Sequence, residues 1–266
     1  MSKVFVTGDI HGSFARFTSQ KFRNLTKEDI VIVLGDFGGI WEQKATKSEK
    51  YWLDWLDIQK PFTVAFIDGN HENFDRLESE FPIVDFYGAK AHKINSSVYH
   101  ILRGEILTIE GYNIFCFGGA ASHDIDDGII DIKDYANRAE MIHDYAARMN
   151  NGEMIRINHE SWWEREIPSR EEMDNGLKNL KNLKKVNSEI NYVISHSLPV
   201  NILPSIGILY GSDPLTNYFQ DEITPILKEK ESPVKWYSGH YHLEDTTRYD
   251  DNITYIVKYH DIERII

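Results

Sequence analysis

Five short clusters hold the side chains that could do chemistry. They are Gly8-Asp9-Ile10-His11-Gly12, Gly35-Asp36-Phe37-Gly38-Gly39, Gly69-Asn70-His71-Glu72, Ser195-His196 and Gly239-His240-Tyr241-His242. Between them they supply aspartates, an asparagine and several histidines. Hard carboxylate oxygen together with imidazole suits first-row divalent ions such as manganese, iron, zinc, cobalt or nickel, and a single cysteine cannot build a thiolate site. Asp9 and His11 stand at i and i+2. If strand conformation persists through them, both side chains point to one side and chelate one ion. His240 and His242 repeat that spacing. Taken singly, each cluster also reads as a turn or a solvated loop. Their coincidence in one chain points to a metal site.

The clusters need elements to position them. Short apolar runs rich in β-branched residues precede the clusters, at 4–7, 30–34, 62–67, 192–194 and 236–238, and similar runs occur at 98–102, 106–109, 114–117 and 253–257. These predict strands. Helical patterning falls at 13–22 and 48–57, where Tyr51, Trp52, Trp55 and Leu56 form an apolar stripe. Strands alternating with helices early in the chain suggest βαβ units, and the close strands at 98–117 suggest an antiparallel stretch. The class expected is mixed α/β, with two sheets and helices outside. Strand ends that present polar loops at one sheet edge are where such folds place their sites.

The segment at about 121–190 differs. It is highly charged, with helical patterning at 134–150 and 171–186 around Trp162 and Trp163. It reads as a helical insertion or cap on a single domain spanning 1–266, not as a separate folding unit.

The bulk composition narrows the partners. The 266 residues are 41% hydrophobic and 12% aromatic, enough for a sizeable core. The formal charge of −13 opposes long-range attraction to a phosphate backbone, so long nucleic acid is not expected as a partner. A bound cation reverses that field locally. Cys116, alone and in an apolar run, reads as a buried inert thiol in a reducing compartment. With neither a leader-like start nor a membrane-length apolar run, a soluble cytoplasmic protein is expected.

The ordered set D-x-H, G-D, G-N-H-E, H, G-H-x-H, spread over residues 8–242, resembles the calcineurin-like metallophosphoesterase superfamily. The resemblance implies a four-layer αββα sandwich, two mixed β-sheets and two divalent ions, manganese first among them. Carried over by position, Asp9, His11, Asp36 and His242 would hold one ion. Asp36, as the bridge, with Asn70, His196 and His240 would hold the other. His71 would face the leaving group as general acid or phosphate contact. The implied reaction is hydrolysis of a small phosphate ester (monoester, diester or nucleotide) by a metal-activated water. A non-catalytic interaction module on the same fold and a nuclease for short oligonucleotides are the alternatives. The retained ligand set and His71 favour the enzyme.

The sequence also departs from one branch of that superfamily. Protein Ser/Thr phosphatases carry G-D-x-x-D-R-G, whereas this chain has Gly35-Asp36-Phe37-Gly38-Gly39-Ile40-Trp41. They also place arginine two residues before the asparagine, where this chain has Asp68. Both phosphate-gripping arginines are therefore missing at the matched positions. Asp68 or Glu72 is a candidate orienter of His71. The run Gly118-Gly119-Ala120-Ala121-Ser122-His123-Asp124, with the Trp pair, resembles small prophage and Gram-positive bacterial phosphoesterases. Gly119, His123 and Trp162 are candidate substrate contacts; the alternatives are a plain turn, a solvated loop histidine and, for at least one of the Trp pair, core between cap and base. Arg138 and Arg148 could supply the missing grip, or simply face solvent. His92, His100, His143, His159 and His260 have no motif around them.

Overall fold

Alternation along the strands sorts the apolar residues into three layers of core. Val4, Val6, Ile30 and Ile32 pack into one buried cluster, while Phe5, Val31 and Val33 face the other side of the same sheet. Strand geometry requires this, since neighbouring side chains point to opposite faces. In the computed structural model, which describes residues 1–186, 188–209, 211–229, 232–244 and 246–266, the strands build two large mixed sheets.

The first sheet contains β1 (Val4–Thr7), β2 (Ile30–Val33), β3 (Thr63–Phe66), β4 (Ile83–Phe86), β5 (Ala89–Lys93) and β6 (Val98–Ile101). The second begins with the hairpin β7 (Glu105–Ile109) and β8 (Tyr112–Phe117). A small parallel pair follows, β9 (Gly128–Ile130) and β10 (Ile155–Ile157). The second sheet then takes β11 (Tyr192–Ser195), β12 (Val234–Ser238), β13 (Thr246–Asp250) and β14 (Ile253–Val257). The last strand, β15 (Ile262–Arg264), returns to the first sheet antiparallel to β1. The strands β1, β2 and β3 run parallel, as do β8, β11 and β12, so each sheet presents a row of carboxyl ends.

Between the sheets lie Ala65, Leu107, Ile114, Cys116, Ile194 and Tyr237 with the inward residues of β1 and β2. Outside the first sheet, Phe14, Phe17 and Phe22 pack with Leu56 of α1 (Lys47–Gln59) and Leu77 of α2 (Phe74–Glu80). The helix α3 (Arg138–Asn150) lies against the β9–β10 pair and shares a small core of Ile130, Met141, Ile155 and Ile157. Outside the second sheet, Phe115, Phe117 and Trp236 pack with Met173, Leu177 and Leu180 of α4 (Arg170–Lys185) and with Leu215, Phe219 and Leu227. Each fully buried large apolar side chain contributes about 1.5–3 kcal/mol. The result is the expected αββα order of layers.

Several elements depart from the sequence expectation. The segment read as a helix at 13–22 is two short 3-10 turns, Phe14–Thr18 and Gln20–Phe22, broken at Ser19, whose side chain caps the second by accepting from the Lys21 amide. The strands β4, β5, β9, β10, β13 and β15 were not foreseen; they are short, and several pair at an edge or outside the main sheets. Within 121–190, where Asn187 lies outside the described residues, α4 belongs to the main core and only the β9–α3–β10 part has a core of its own. The helix stripe held in part: Leu56 is buried and Trp52 and Trp55 are half-buried, but Tyr51 is exposed. Among the described residues no helix is long and apolar enough to cross a membrane.

Candidate metal centre

The five clusters follow β1, β2, β3, β11 and β12, and the two rows of strand ends meet over one cleft. Loops from different strands brace one another. The amides of Ile10 and His11 both donate to the Asp36 carbonyl, at 3.2 and 2.8 Å. The His71 amide donates to Asp36 Oδ1 at 2.8 Å, and the His240 amide to Asp9 Oδ1 and Oδ2 at 3.0 and 3.1 Å. From below, the Arg16 guanidinium donates to the carbonyls of Gly8 and Tyr259, both at 2.8 Å. Two glycines let the loops close. A Cβ at Gly69 would collide with the Asp36 carboxylate and the His196 ring, and one at Gly239 with Asp9.

The Asp9–His11 spacing does not work as expected. The strand β1 ends at Thr7, and His11 sits in the left-handed region at φ 44°. Asp36, His240 and His242 are left-handed too, at 47°, 67° and 51°. For non-glycine residues this conformation costs about 1–3 kcal/mol each and persists only where the surroundings enforce it. Turns, not strand alternation, aim these side chains.

Among the described residues, two groups of potential ligand atoms result. Asp9, His11 and His242 offer one atom each within 4.8 Å of one another, and so do Asp9, Asp36 and His196. Asp36 Oδ2 stands 3.4 Å from His196 Nε2 and 3.7 Å from His11 Nε2, so it reaches both groups. His242 Nε2 lies 3.1 Å from Asp9 Oδ2 and 3.3 Å from His11 Nε2, and its ring stacks on Tyr259. The His240 ring centre lies 5.0 Å from that of His196. Asp9, Asp36, Asn70 and His196 are all buried.

This donor set fits divalent ions. Buried polar atoms are normally hydrogen-bonded, yet Asn70 Oδ1 and His196 Nε2 have no such partner. Each is an acceptor freed by its neighbours. Asn70 Nδ2 is used on Ser122 Oγ, 3.2 Å away, and His196 Nδ1 on the Leu34 carbonyl, 2.6 Å away. The second bond selects the tautomer that leaves Nε2 with its lone pair. Two buried carboxylates facing one cleft also call for positive charge.

The electrostatics agree. Burial pushes the Asp36 carboxyl up, but His196 and then His71 overcome this and hold it well below the usual range. Burial lowers the His196 pKa, and Asp36 and Asp9 more than reverse it, to about 10. A cation at the carboxylates displaces the proton this stabilises. Burial, then the neighbouring His196, lowers His240 to about 3, which keeps it a neutral donor.

A family model for the calcineurin-like phosphoesterases matches residues 2–244 of this chain. The chain belongs to that family. Metal-dependent hydrolysis of phosphoesters is the activity the family indicates, and its members typically use two metal ions. No curated protein matches the chain.

The remaining predicted residues fall at different depths. His71 lies between His11 and Trp41, with ring centres 5.5 and 6.1 Å away. Among the described residues neither proposed orienter hydrogen-bonds to its ring, though Glu72 Oε2 has no hydrogen-bond partner. Asp68 accepts from Arg103 Nε at 2.8 Å and pairs with His100 Nε2 at 3.1 Å, while Glu72 accepts from the Phe37 amide at 2.6 Å. His123 is at the edge of the cleft, 6.3 Å ring to ring from His240. Gly119 is buried. Its N–H donates to the Asp68 carbonyl at 2.9 Å, and a Cβ there would meet the Glu166 carbonyl at 2.8 Å, so it packs beneath the cleft and does not line it. Trp162 is half-buried, whereas Trp163 is core and donates to Asp75 at 2.8 Å. Arg138 pairs with Glu160 and Arg148 with Glu153, which commits both away from the cleft.

Sequence reasoning missed three groups near the site. Glu166 Oε1 and Oε2 accept from the amide and hydroxyl of Ser122, at 2.8 and 2.6 Å. Arg156 of β10 pairs with Asp124, and its charge is close enough to lower the His71 pKa. His92 and His100, set aside as unplaced, form a buried pair at 3.1 Å that ends on Asp68. Only the Ser-His-Asp run after Gly119 hinted at any of these.

Proposed function

We propose that the protein hydrolyses small phosphate esters at a dinuclear metal centre, with manganese as the working ion. Asp9, His11, Asp36 and His242 would hold one ion, and Asp36, Asn70, His196 and His240 the other. Two bound divalent ions lower the pKa of a shared water and polarise the phosphoryl oxygens. The observation that carries the reading is Asn70 Oδ1 and His196 Nε2, two buried polar atoms with no hydrogen-bond partner, the second 3.4 Å from Asp36 Oδ2, beside two buried carboxylates.

The chain's own groups have distinct tasks. Asp36 is the bridge, because one of its oxygens stands between His11 and His196 while the other is fixed by the His71 amide. Asn70 contributes a neutral oxygen, which limits the negative charge an anionic substrate meets. His71 gives a proton to the leaving oxygen. Burial lowers its pKa more than Asp36 raises it, so the protonated ring that acts as the acid is the minor form near neutral pH, and a strong proton donor when present. Arg156, paired with Asp124 through Nε and Nη2, is a cation whose charge reaches His71, and it would attract the phosphate in place of the two arginines of the protein phosphatases.

We read the chain as one domain on which the β9–α3–β10 unit acts as a cap, and we place it in the cytoplasm on its single buried cysteine. The testing experiment is hydrolysis of p-nitrophenyl phosphate and its bis-ester with manganese, before and after chelation. Chelator-sensitive turnover of either ester supports the proposal. Metal-loaded protein that cleaves neither ester, nor any nucleotide in a panel, contradicts it.

A further inference from the structure

A cavity of about 420 Å³ opens beside His11 and His71. Its walls include Phe14, Trp41 and Trp52, and Glu42 stands at its margin. Among the described residues, no lysine or arginine lines it. This contrasts with the cap side of the centre, where Arg156 faces Asp124.

The aromatic wall is built in, not incidental. Trp52 stacks on Phe14 with ring centres 5.5 Å apart, and Phe14 packs in turn on Phe37, next to Asp36. Trp41 is wedged edge-on against the fully buried Trp163 at 5.5 Å. The carbonyls of Trp41 and Glu42 accept from Asn73 Nδ2 at 2.9 and 3.2 Å, and Arg76 Nη1 adds a third bond to Glu42 at 3.0 Å. The backbone that carries the indole is thereby fixed to α2.

Charge at the cavity is also defined. Arg76 is shared by two carboxylates, holding Glu49 through Nη1 and Nη2 at 2.7 and 2.8 Å and Glu80 through Nε and Nη2, both at 2.9 Å. One guanidinium does not cancel both charges, and among the described residues no other cation reaches this wall from the cavity lining. The helix α1 starts at the rim, where an anion would ordinarily be welcome. Thr46 already caps it, accepting from the Glu49 amide at 3.1 Å, and Glu49 sits in its first turn.

We infer that this cavity is the leaving-group site and that it takes an uncharged planar aromatic group, a nucleobase on its sugar or an aryl ring. This rests on the phosphoesterase reading, since His71 is the group that faces the leaving oxygen. In the reaction, water forms the new P–O bond and releases a proton to solvent, the ester P–O bond breaks, and the freed oxygen takes a proton from His71, which solvent then reprotonates. A nucleoside fits the volume, because cavities that enclose small ligands run from about 300 to 1,000 Å³. Flat indole faces suit a base, and a second anionic group would meet Glu42 unopposed.

The test compares adenosine 5′-monophosphate with ribose 5-phosphate, which share a leaving oxygen and differ by the base. Benzyl phosphate distinguishes an aryl ring from a nucleoside. Adenosine 3′,5′-bisphosphate adds charge to the leaving group. With manganese-loaded protein, kcat/KM is expected to favour an aromatic substrate over ribose 5-phosphate by about tenfold or more, the scale of base–aromatic stacking. Trp52→Ala and Trp41→Ala are expected to collapse that ratio toward one, and Glu42→Lys to raise the bisphosphate relative to the monophosphate. Equal rates with and without an aromatic group, or a ratio the tryptophan variants leave intact, overturn the inference. Calorimetric titration with adenosine and with benzyl alcohol needs no turnover. Saturable heat for either, lost in Trp52→Ala, upholds the site even if no ester is cleaved, whereas no heat from either overturns it.

Discussion

Asn70 Nδ2 donates to Ser122 Oγ at 3.2 Å, and the Ser122 hydroxyl passes its own proton bond on to Glu166 at 2.6 Å. Asn70 sits on the loop after β3, while Ser122 and Glu166 belong to the segment that carries the cap. The contact decides which end of the Asn70 amide faces the cleft. With the nitrogen engaged, the oxygen is left for a cation.

Ser122→Ala is therefore expected to weaken metal retention without removing any ligand. Loss of a group that orients a ligand typically costs 10–100-fold in metal affinity or activity. Calorimetric titration with manganese reads this directly. The variant should show one weakened binding step and one near normal. Two unchanged steps would mean that Asn70 needs no such support.

Glu166 gives the network a pH dependence. Burial pushes its carboxyl up to about 7 from an ordinary value near 4.5, although Ser122 pulls the other way. A carboxyl raised in the folded state stabilises the protein most below its unfolded pKa. That contribution is lost as pH rises through about 7. Denaturation of wild type and Glu166→Gln at about pH 5 and about pH 8 should show the variant gaining on wild type by roughly 2 kcal/mol at the higher pH. A difference that is flat with pH would show that Glu166 titrates normally in the fold.

His71 touches the centre in two separable ways. Its backbone amide holds Asp36 Oδ1, and its ring faces the cavity. Alanine keeps the first and deletes the second. His71→Ala should retain near-normal metal content while kcat falls by about 10²–10⁴. Elemental analysis and steady-state kinetics on the same preparation separate the two. Loss of metal would make the ring a ligand and not an acid.

Much of this was legible in the sequence. The apolar runs before Asp9, Asp36, Asn70, His196 and His240 marked the strands, and the clusters after them marked the cleft. The strand condition for pairing Asp9 with His11 is not met, because a pattern of types at i and i+2 does not reveal that the strand stops at Thr7 and the chain turns left-handed at His11, although the two still come together. Arg156, Glu166 and His100 were illegible for another reason. Each acts through a partner far along the chain, Asp124, Ser122 and Asp68, and no local pattern encodes such a contact. The edge strand β4 and its neighbour β5 escaped because Ile83–Phe86 and Ala89–Lys93 mix exposed and buried positions without a strong apolar run.

The centre itself is tested most directly by metal stoichiometry. Protein loaded with manganese, desalted and measured by elemental analysis should carry two ions per chain, and Asp36→Ala, which removes the carboxylate reaching both ligand groups, should carry fewer than one. A folded wild-type protein that retains no manganese or other divalent metal, or an Asp36→Ala variant that keeps both ions, would contradict the account.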